Sequence, residues 1–411
     1  MKRYLFNYRK CILNDGNKWE IAPQEKSAKP VTGIAFIGCG YVADLYLRTL
    51  GNRAGSLGLR GVWDKRADRL KQFTTYHNLT AYPDFDSLLA DPSVDIVVNL
   101  TNPHQHFEIS QRILAAGKHV YSEKPLALCL KQAEALVKQA ADAGLQIVAA
   151  PSTVLGSAAQ TMLKAVKDEL RGSPRLIYAE LDDGMVQKIG CENWVTETGA
   201  VWPAEDEFAT GCTLEHAGYA LSWLVAMCGP VRRVVTFAAL TVPDKGPATP
   251  LGLTTPDFTC AVLEMDNGVV ARLTNSIVAQ HDHRFRVFCD DGCLCLDEVW
   301  NFAAPVRSIP LATTRLRRQL EKRLGWDGGH VVPPIALRKI SFAKRGFPMD
   351  FTLGIADMAD AIRDGRAPRL AGEFSLHITE VSLAIQHPER FGTEYVPKSA
   401  PAPIAPMTVA S

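Results

Sequence analysis

No stretch of this 411-residue chain reaches the roughly 20 consecutive apolar residues that a membrane-spanning helix needs, so no membrane partner is expected. Paired C-x-x-C motifs are also missing. Of ten cysteines only Cys293 and Cys295 stand close, as C-x-C, which excludes the common zinc-ribbon spacings and reads as free thiols in a reducing compartment. Charge of one sign is not in excess. A net charge of +1 gives no general attraction to nucleic acid or to an acidic membrane surface. The basic start, Met1 to Lys10, runs into polar Asn14-Asp15-Gly16-Asn17-Lys18 rather than an apolar core and small-residue cleavage site. That reads as a cytoplasmic protein without a secretory signal. What is present, 47% hydrophobic and 22% charged residues, suits a soluble globular chain long enough for two domains.

The pattern along the chain divides it. Residues 1–30 carry no period and read as an N-terminal arm, either clasping a partner or loosely ordered. From 31 to 150, short apolar runs alternate with helical patterns. Strands are expected at 33–37, 59–63, 96–100, 119–121 and 146–149, with helices at 42–50, 67–76, 85–89, 106–116 and 130–143. Such alternation means a parallel α/β sheet with right-handed crossovers. From 151 to 395 the order changes. Helices at 158–169, 213–227 and 351–364 accompany strands at 176–181, 233–240, 258–265, 269–276, 285–289 and 293–296. The turns Asp266-Asn267-Gly268 and Asp290-Asp291-Gly292 join successive strands as hairpins, so this half is α+β with an antiparallel sheet. Residues 301–348 show no sheet pattern. The Pro-, Ala- and Ser-rich end, 396–411, reads as a disordered tail.

Gly38-Cys39-Gly40-Tyr41-Val42-Ala43 follows the apolar run Ile34 to Ile37 and opens a helix. A dinucleotide needs such a turn. Gly38 permits the bend, Gly40 the close approach of backbone to pyrophosphate, and Ala43 close helix–strand packing. Tyr41 and Val42 complete the cofactor loop. Asp64, 24 residues past Gly40, stands near the roughly 20-residue offset of a ribose-binding acid. Its carboxylate repels a 2′-phosphate and favours NAD. Lys65 and Arg66 can pair with that phosphate, so NADP stays open.

A second signature, Glu123-Lys124-Pro125, follows the apolar run Val120-Tyr121. It puts a lysine where ligands sit in doubly wound sheets. Lys124 is the first catalytic candidate: burial and neighbours can lower its pKa toward a useful range, with Glu123 fixing its position. The alternative is a surface lysine.

Three stretches, 33–43 with the glycine turn, 116–126 with Glu-Lys-Pro, and Gly354-Ile-Ala-Asp-Met-Ala-Asp-Ala-Ile362, run in the order seen in the glucose-fructose oxidoreductase / inositol dehydrogenase / rhizopine catabolism (Gfo/Idh/MocA) family, which the chain resembles from residue 33 to about 385. The resemblance implies an N-terminal Rossmann NAD(P)-binding domain, then a domain with a large open, mainly antiparallel sheet. It implies substrate at the junction and homodimers or homotetramers packed through that sheet. Family members oxidise or reduce a secondary alcohol on a sugar, inositol or related carbohydrate ring, and the family's catalytic lysine maps to Lys124. The family's Gly-x-x-x-Asp-x-Gly-x-His helix motif aligns with Gly211-Cys-Thr-Leu-Glu-His-Ala-Gly-Tyr219. Glu215 stands for the aspartate and Tyr219 for the histidine. These two share a helix face at i, i+4. Tyr219 needs a nearby cation to act as base, and Lys124 is the one on offer. His216, one residue off that register, is either catalytic or a supporting histidine.

The expected activity is hydride transfer between a ring C–H and nicotinamide, with Lys124 polarising the reacting oxygen, Tyr219 relaying its proton and Glu215 orienting both. Two alternatives stand beside it: an oxidoreductase that keeps its cofactor through a closed redox cycle, and a non-catalytic nicotinamide sensor. Thr101, Asn102 and His106, after the strand at 96–100, are expected to line the cofactor site. His104-Gln105-His106 can bind a metal but lacks a third ligand, and no metal is expected. Thr153, Trp194 and Trp202 are substrate-facing candidates, with core packing the alternative for both indoles. The basic segment 307–345, including Arg315, Arg317, Arg318, Lys322 and Arg323, is either a solvated helix face or a cap that reads a phosphate.

Overall fold

The computed structural model describes residues 31–335 and 349–407. The expected N-terminal arm and the end of the basic segment lie outside them.

The first domain is built from β1 (Thr32–Ile37), α1 (Tyr41–Leu50), β2 (Leu57–Trp63), α2 (Ala67–His77), α3 (Phe85–Ala90), β3 (Ile96–Asn99), α4 (His106–Ala115), β4 (His119–Ser122), α5 (Leu130–Asp142) and β5 (Ile147–Ala149). Its strands lie in the order β2-β1-β3-β4-β5, all parallel. Ile34 to Ile37 and Ile96 to Val98 are fully buried. Helices on both faces explain why these strands read as unbroken apolar runs. Chain order reverses between β1 and β3, so the crevice beyond their carboxyl ends is the natural ligand site. The glycine turn, the loop after β3 and Glu123-Lys124 all emerge there.

The second domain adds α6 (Ser157–Lys167), β6 (Pro174–Asp182), α7 (Ala204–Thr210), α8 (Cys212–Cys228), β7 (Val231–Ala239), β8 (Phe258–Met265), β9 (Val270–Ser276), β10 (Phe285–Cys289), β11 (Gly292–Leu296), β12 (Arg307–Pro310), α9 (Arg315–Leu324), β13 (His330–Val331), α10 (Leu353–Arg363), α11 (Gly372–Gln386), α12 (Pro388–Phe391) and β14 (Glu394–Tyr395). Among the described residues nine strands form one sheet, β13-β12-β11-β10-β6-β9-β8-β7-β14, antiparallel except for β6 with β9. On one face Ile177, Ala179, Leu181, Leu263 and Leu273 are buried beneath α8 and α11. On the other, alternate residues such as Leu176, Val235, Phe237 and Val262 are exposed.

Three expectations need correction. Residues 301–348 are not free of sheet: β12 and β13 extend it by short edge strands, too brief to carry an alternation pattern. The helix α11 was not anticipated. It is buried on nearly every side, so it lacks the apolar stripe that marks an amphipathic helix. The tail is not disordered as far as Met407. Glu380 accepts the Lys398 and Ser399 N–H groups at 2.8 and 2.9 Å, Arg369 holds the Ala405 and Pro406 carbonyls, and Met407 N–H donates to Gln160. Among the described residues no helix is long and apolar enough to cross a membrane.

Candidate active site at the domain junction

The glycine turn fits a dinucleotide. Gly38 has φ +94°, and a Cβ there would lie 2.6 Å from the Leu100 carbonyl oxygen, so a side chain is excluded twice over. At Gly40, the N-cap of α1, an added Cβ meets nothing within 4 Å, which leaves room for a ligand. No side chain caps α1, so the N-terminal end of the helix dipole is open to an anion. Ala43 itself is fully buried, as close packing requires.

Asp64 follows β2 and braces this turn. It accepts the Cys39 N–H at 2.7 Å and the Arg66 N–H at 2.8 Å. Each oxygen keeps a second lone pair for a ribose hydroxyl. Lys65 is exposed. Arg66, also exposed, is engaged with Asp68 at 2.6 Å. Arg69, unanticipated, ties the turn to the second domain by binding both the Cys39 carbonyl and Thr198.

The loop after β3 is organised by buried Asn99, which accepts the Thr101 hydroxyl at 2.6 Å and donates to the His106 carbonyl and Ser110. Asn102 donates to Asp206 at the start of α7. His106 does not line the cofactor crevice. It is fully buried, with Nδ1 2.7 Å from the Pro125 carbonyl and Nε2 2.8 Å from that of Thr101. Burial pushes its pKa down against the pull of those carbonyls. A neutral ring has one N–H, so it donates to one of them at a time. Its role is to tie the loop after β3 to the segment carrying Lys124.

Glu123 is buried, accepting the Tyr46 hydroxyl at 2.7 Å and the Lys124 N–H at 3.0 Å. The position of Lys124 is thereby set from α1. Its ammonium crosses the junction to pair with Glu215 of α8. Burial alone disfavours that charge, but the carboxylate of Glu215 outweighs it and holds the lysine well above its ordinary range. The expected downward shift is therefore reversed.

Glu207, on α7, was not foreseen. Burial and the neighbouring Glu215 push its carboxyl well up, whereas Lys124 overcomes burial to hold Glu215 down. Counted as two carboxylates, the pair leaves Glu215 Oε1 without a donor. A proton on Glu207, whose carboxyl neighbours Glu215, would supply it. Lysine, glutamate and glutamic acid then form a neutral trio. No sequence pattern separates Glu207 from its neighbours Glu205 and Asp206.

Tyr219 is part-buried, its ring 5.0 Å from that of Trp300. Burial raises its phenol far above the usual range, with Lys124 opposing and losing. The expectation that Lys124 makes Tyr219 a base is thus corrected: the phenol keeps its proton. His216 also faces Trp300, at 5.7 Å. It shares that side with Tyr219 at i, i+3 instead of lying on a separate face. Its Nε2 lies 3.1 Å from Asp183, and burial lowers its pKa. Its Nδ1 has no hydrogen-bond partner among the described residues.

The substrate candidates fare less well. Thr153 is 1% exposed and accepts from Trp223 Nε1 at 3.2 Å, so it packs behind the site. Trp194 and Trp202 meet each other at 5.1 Å, and Trp202 meets Phe208 at 5.9 Å, in a small apolar cluster. Packing explains both. The basic residues of α9 form a solvated helix with no buried residue.

Residues 32–150 match the oxidoreductase family described by its NAD-binding Rossmann fold, and residues 159–295 match the GFO/IDH/MocA C-terminal domain. The chain belongs to the Gfo/Idh/MocA oxidoreductase family. An inositol 2-dehydrogenase/D-chiro-inositol 3-dehydrogenase of Lactiplantibacillus plantarum is 34% identical over 104 residues, 25% of this chain and 30% of that protein. The match therefore spans under a third of that relative. A UDP-N-acetylglucosamine 3-dehydrogenase of Acidithiobacillus ferrooxidans is 26% identical over 65% of this chain and 73% of its own. Among solved structures, levoglucosan dehydrogenase in complex with NADH and levoglucosan superposes with a TM-score of 0.73 at 14% identity, covering 89% of this chain and 99% of that one. That likeness is one of fold.

Proposed function

We propose that this family member is an NAD-dependent dehydrogenase of a secondary alcohol on a sugar, cyclitol or related ring. The observation that carries the reading is the ion pair between Lys124, at the mouth of the parallel sheet, and Glu215, on the second domain's helix, with Tyr219 one turn further along that helix. The names of the relatives point to the same substrate class. NAD, when bound at the turn of Gly38 and Gly40, supplies the hydride acceptor.

In this reading Lys124 donates a hydrogen bond to the reacting oxygen, and its fixed charge stabilises the alkoxide that develops there. Glu215 holds the ammonium in place, and Glu207, protonated, holds Glu215. As the substrate O–H breaks, its proton passes to the Tyr219 oxygen. The Tyr219 proton moves on to His216 Nδ1, the open acceptor on the same face. NAD is preferred over NADP because Asp64 faces the ribose and Arg66 is engaged with Asp68. We also propose self-association through the exposed sheet face bearing Leu176, Val235, Phe237 and Val262.

The test is a panel of sugars and inositols with wild-type protein and NAD, followed by reduced-nicotinamide absorbance. Steady NADH release supports the reading. Tight NAD binding with no reduction across the panel would sink it.

A further inference from the structure

A second cluster of donors lies beside the first. The antiparallel bridge between Asp182 and Asp282, closed by N–H···O bonds of 3.0 and 2.9 Å, sets Asp183 next to His281 and His283. Donor atoms of these three residues all lie within 4.8 Å of one another. We propose that Asp183, His281 and His283 form a binding site for a divalent transition-metal ion.

Three observations carry this beyond proximity. One carboxylate, Glu298, engages both imidazoles, at 2.9 Å from His283 Nδ1 and 3.0 Å from His281 Nε2. Histidines oriented from behind by a carboxylate are the common arrangement at metal centres. Next, His283 is 1% exposed and its Nε2 lies 3.1 Å from Asp183 Oδ1, yet the pair is not aligned as a hydrogen bond and the nitrogen has no such partner among the described residues. Third, the cluster is continuous with the candidate active site. His216 Nε2 stands 3.1 Å from Asp183 Oδ2, and the Trp300 ring lies 4.4 Å from His283 and 5.0 Å from Tyr219. His281 is about half exposed, so its ring can turn to close the set.

Two imidazoles and a carboxylate suit zinc, cobalt, iron or manganese better than calcium or magnesium. An ion there keeps positions open toward the cleft. A pair of adjacent hydroxyls, the feature that sugars and cyclitols share, fits such positions, and this role rests on the proposed substrate class. The sequence offered a hint in its second H-x-H, His281-Asp282-His283. The first, at 104–106, is dispersed by the fold, with His104 exposed and His106 buried.

The competing occupant is a proton on His283 between Asp183 and Glu298. Full-length protein stripped with chelator, incubated with Zn²⁺ and desalted, separates the two by elemental analysis. Retention of one zinc ion per chain is expected, as is a visible ligand-field band with Co²⁺. Both should vanish in His281→Ala/His283→Ala, while Glu298→Gln should weaken zinc binding by roughly 10–100-fold. Wild-type protein that retains no zinc and shows no cobalt band overturns the proposal, whatever the variants do. Equal retention by the double variant overturns it too. NAD titration of every sample monitors folding, and its failure in wild type would count against the proposed function and not against the metal site.

Discussion

Lys124 keeps its proton because the Glu215 carboxylate facing it carries more weight than the cost of its burial. The fixed charge suits an electrophile better than a base. Lys124→Met should cut the rate of hydride transfer by about 100-fold or more, with NAD affinity within about 3-fold. Equal losses in both would make Lys124 a structural residue. Glu207 gives a finer test. Glu207→Gln still donates to Glu215 and should keep the rate within a few-fold. Glu207→Ala strands Glu215 Oε1 and should cost about 10–100-fold, by the usual penalty for an unmet buried acceptor. Identical effects would remove the donor role. At this scale Lys124, Glu215 and Tyr219 were legible from motif and helical spacing. Their protonation was not, because it depends on Glu207, which reaches the site from a different helix.

Among elements, the loops at the sheet's carboxyl edge do the positioning. His106 ties the loop after β3 to Pro125 from within α4. His106→Ala removes a fully buried ring and the one N–H that the two carbonyls share, and should destabilise the fold by about 3 kcal/mol. Urea unfolding with a lower midpoint and an unchanged m-value is the expected record. An unchanged midpoint would show that water replaces the ring at no cost. Its place after the strand at 96–100 had pointed to the cofactor, but only the folded loop reveals that both ring nitrogens turn inward. Gly354, in the third conserved-order stretch, has an equally local reason: a Cβ there would meet the Tyr121 hydroxyl at 2.5 Å, so α10 can approach β4 only with glycine. The parallel strands were legible because burial on both faces leaves an apolar run. By contrast α11 was not, since burial on nearly every side erases its period.

Across the whole molecule, the C-terminal segment clasps the second domain through His377 and Glu380. His377 Nδ1 lies 2.8 Å from the Ser399 hydroxyl, and Nε2 accepts the Val231 N–H at 2.9 Å. Burial pushes this histidine down to about 4, while in the unfolded chain it titrates near 6.5. Below that higher value the unfolded state takes up a proton that the folded state refuses. The stability contribution is therefore complete above about pH 6.5 and is lost as pH falls toward 4, by about 3 kcal/mol. His377→Gln should show a shallower acid loss in thermal unfolding, and parallel curves would refute the assignment.

The most direct trial of the junction chemistry is single-turnover mixing of NAD-loaded protein with a sugar or inositol that wild type oxidises, read by reduced-nicotinamide absorbance in wild type and Lys124→Met side by side. The expected record is a wild-type burst and a variant slowed by about 100-fold or more at matched NAD occupancy. A variant burst as fast as wild type would contradict the account.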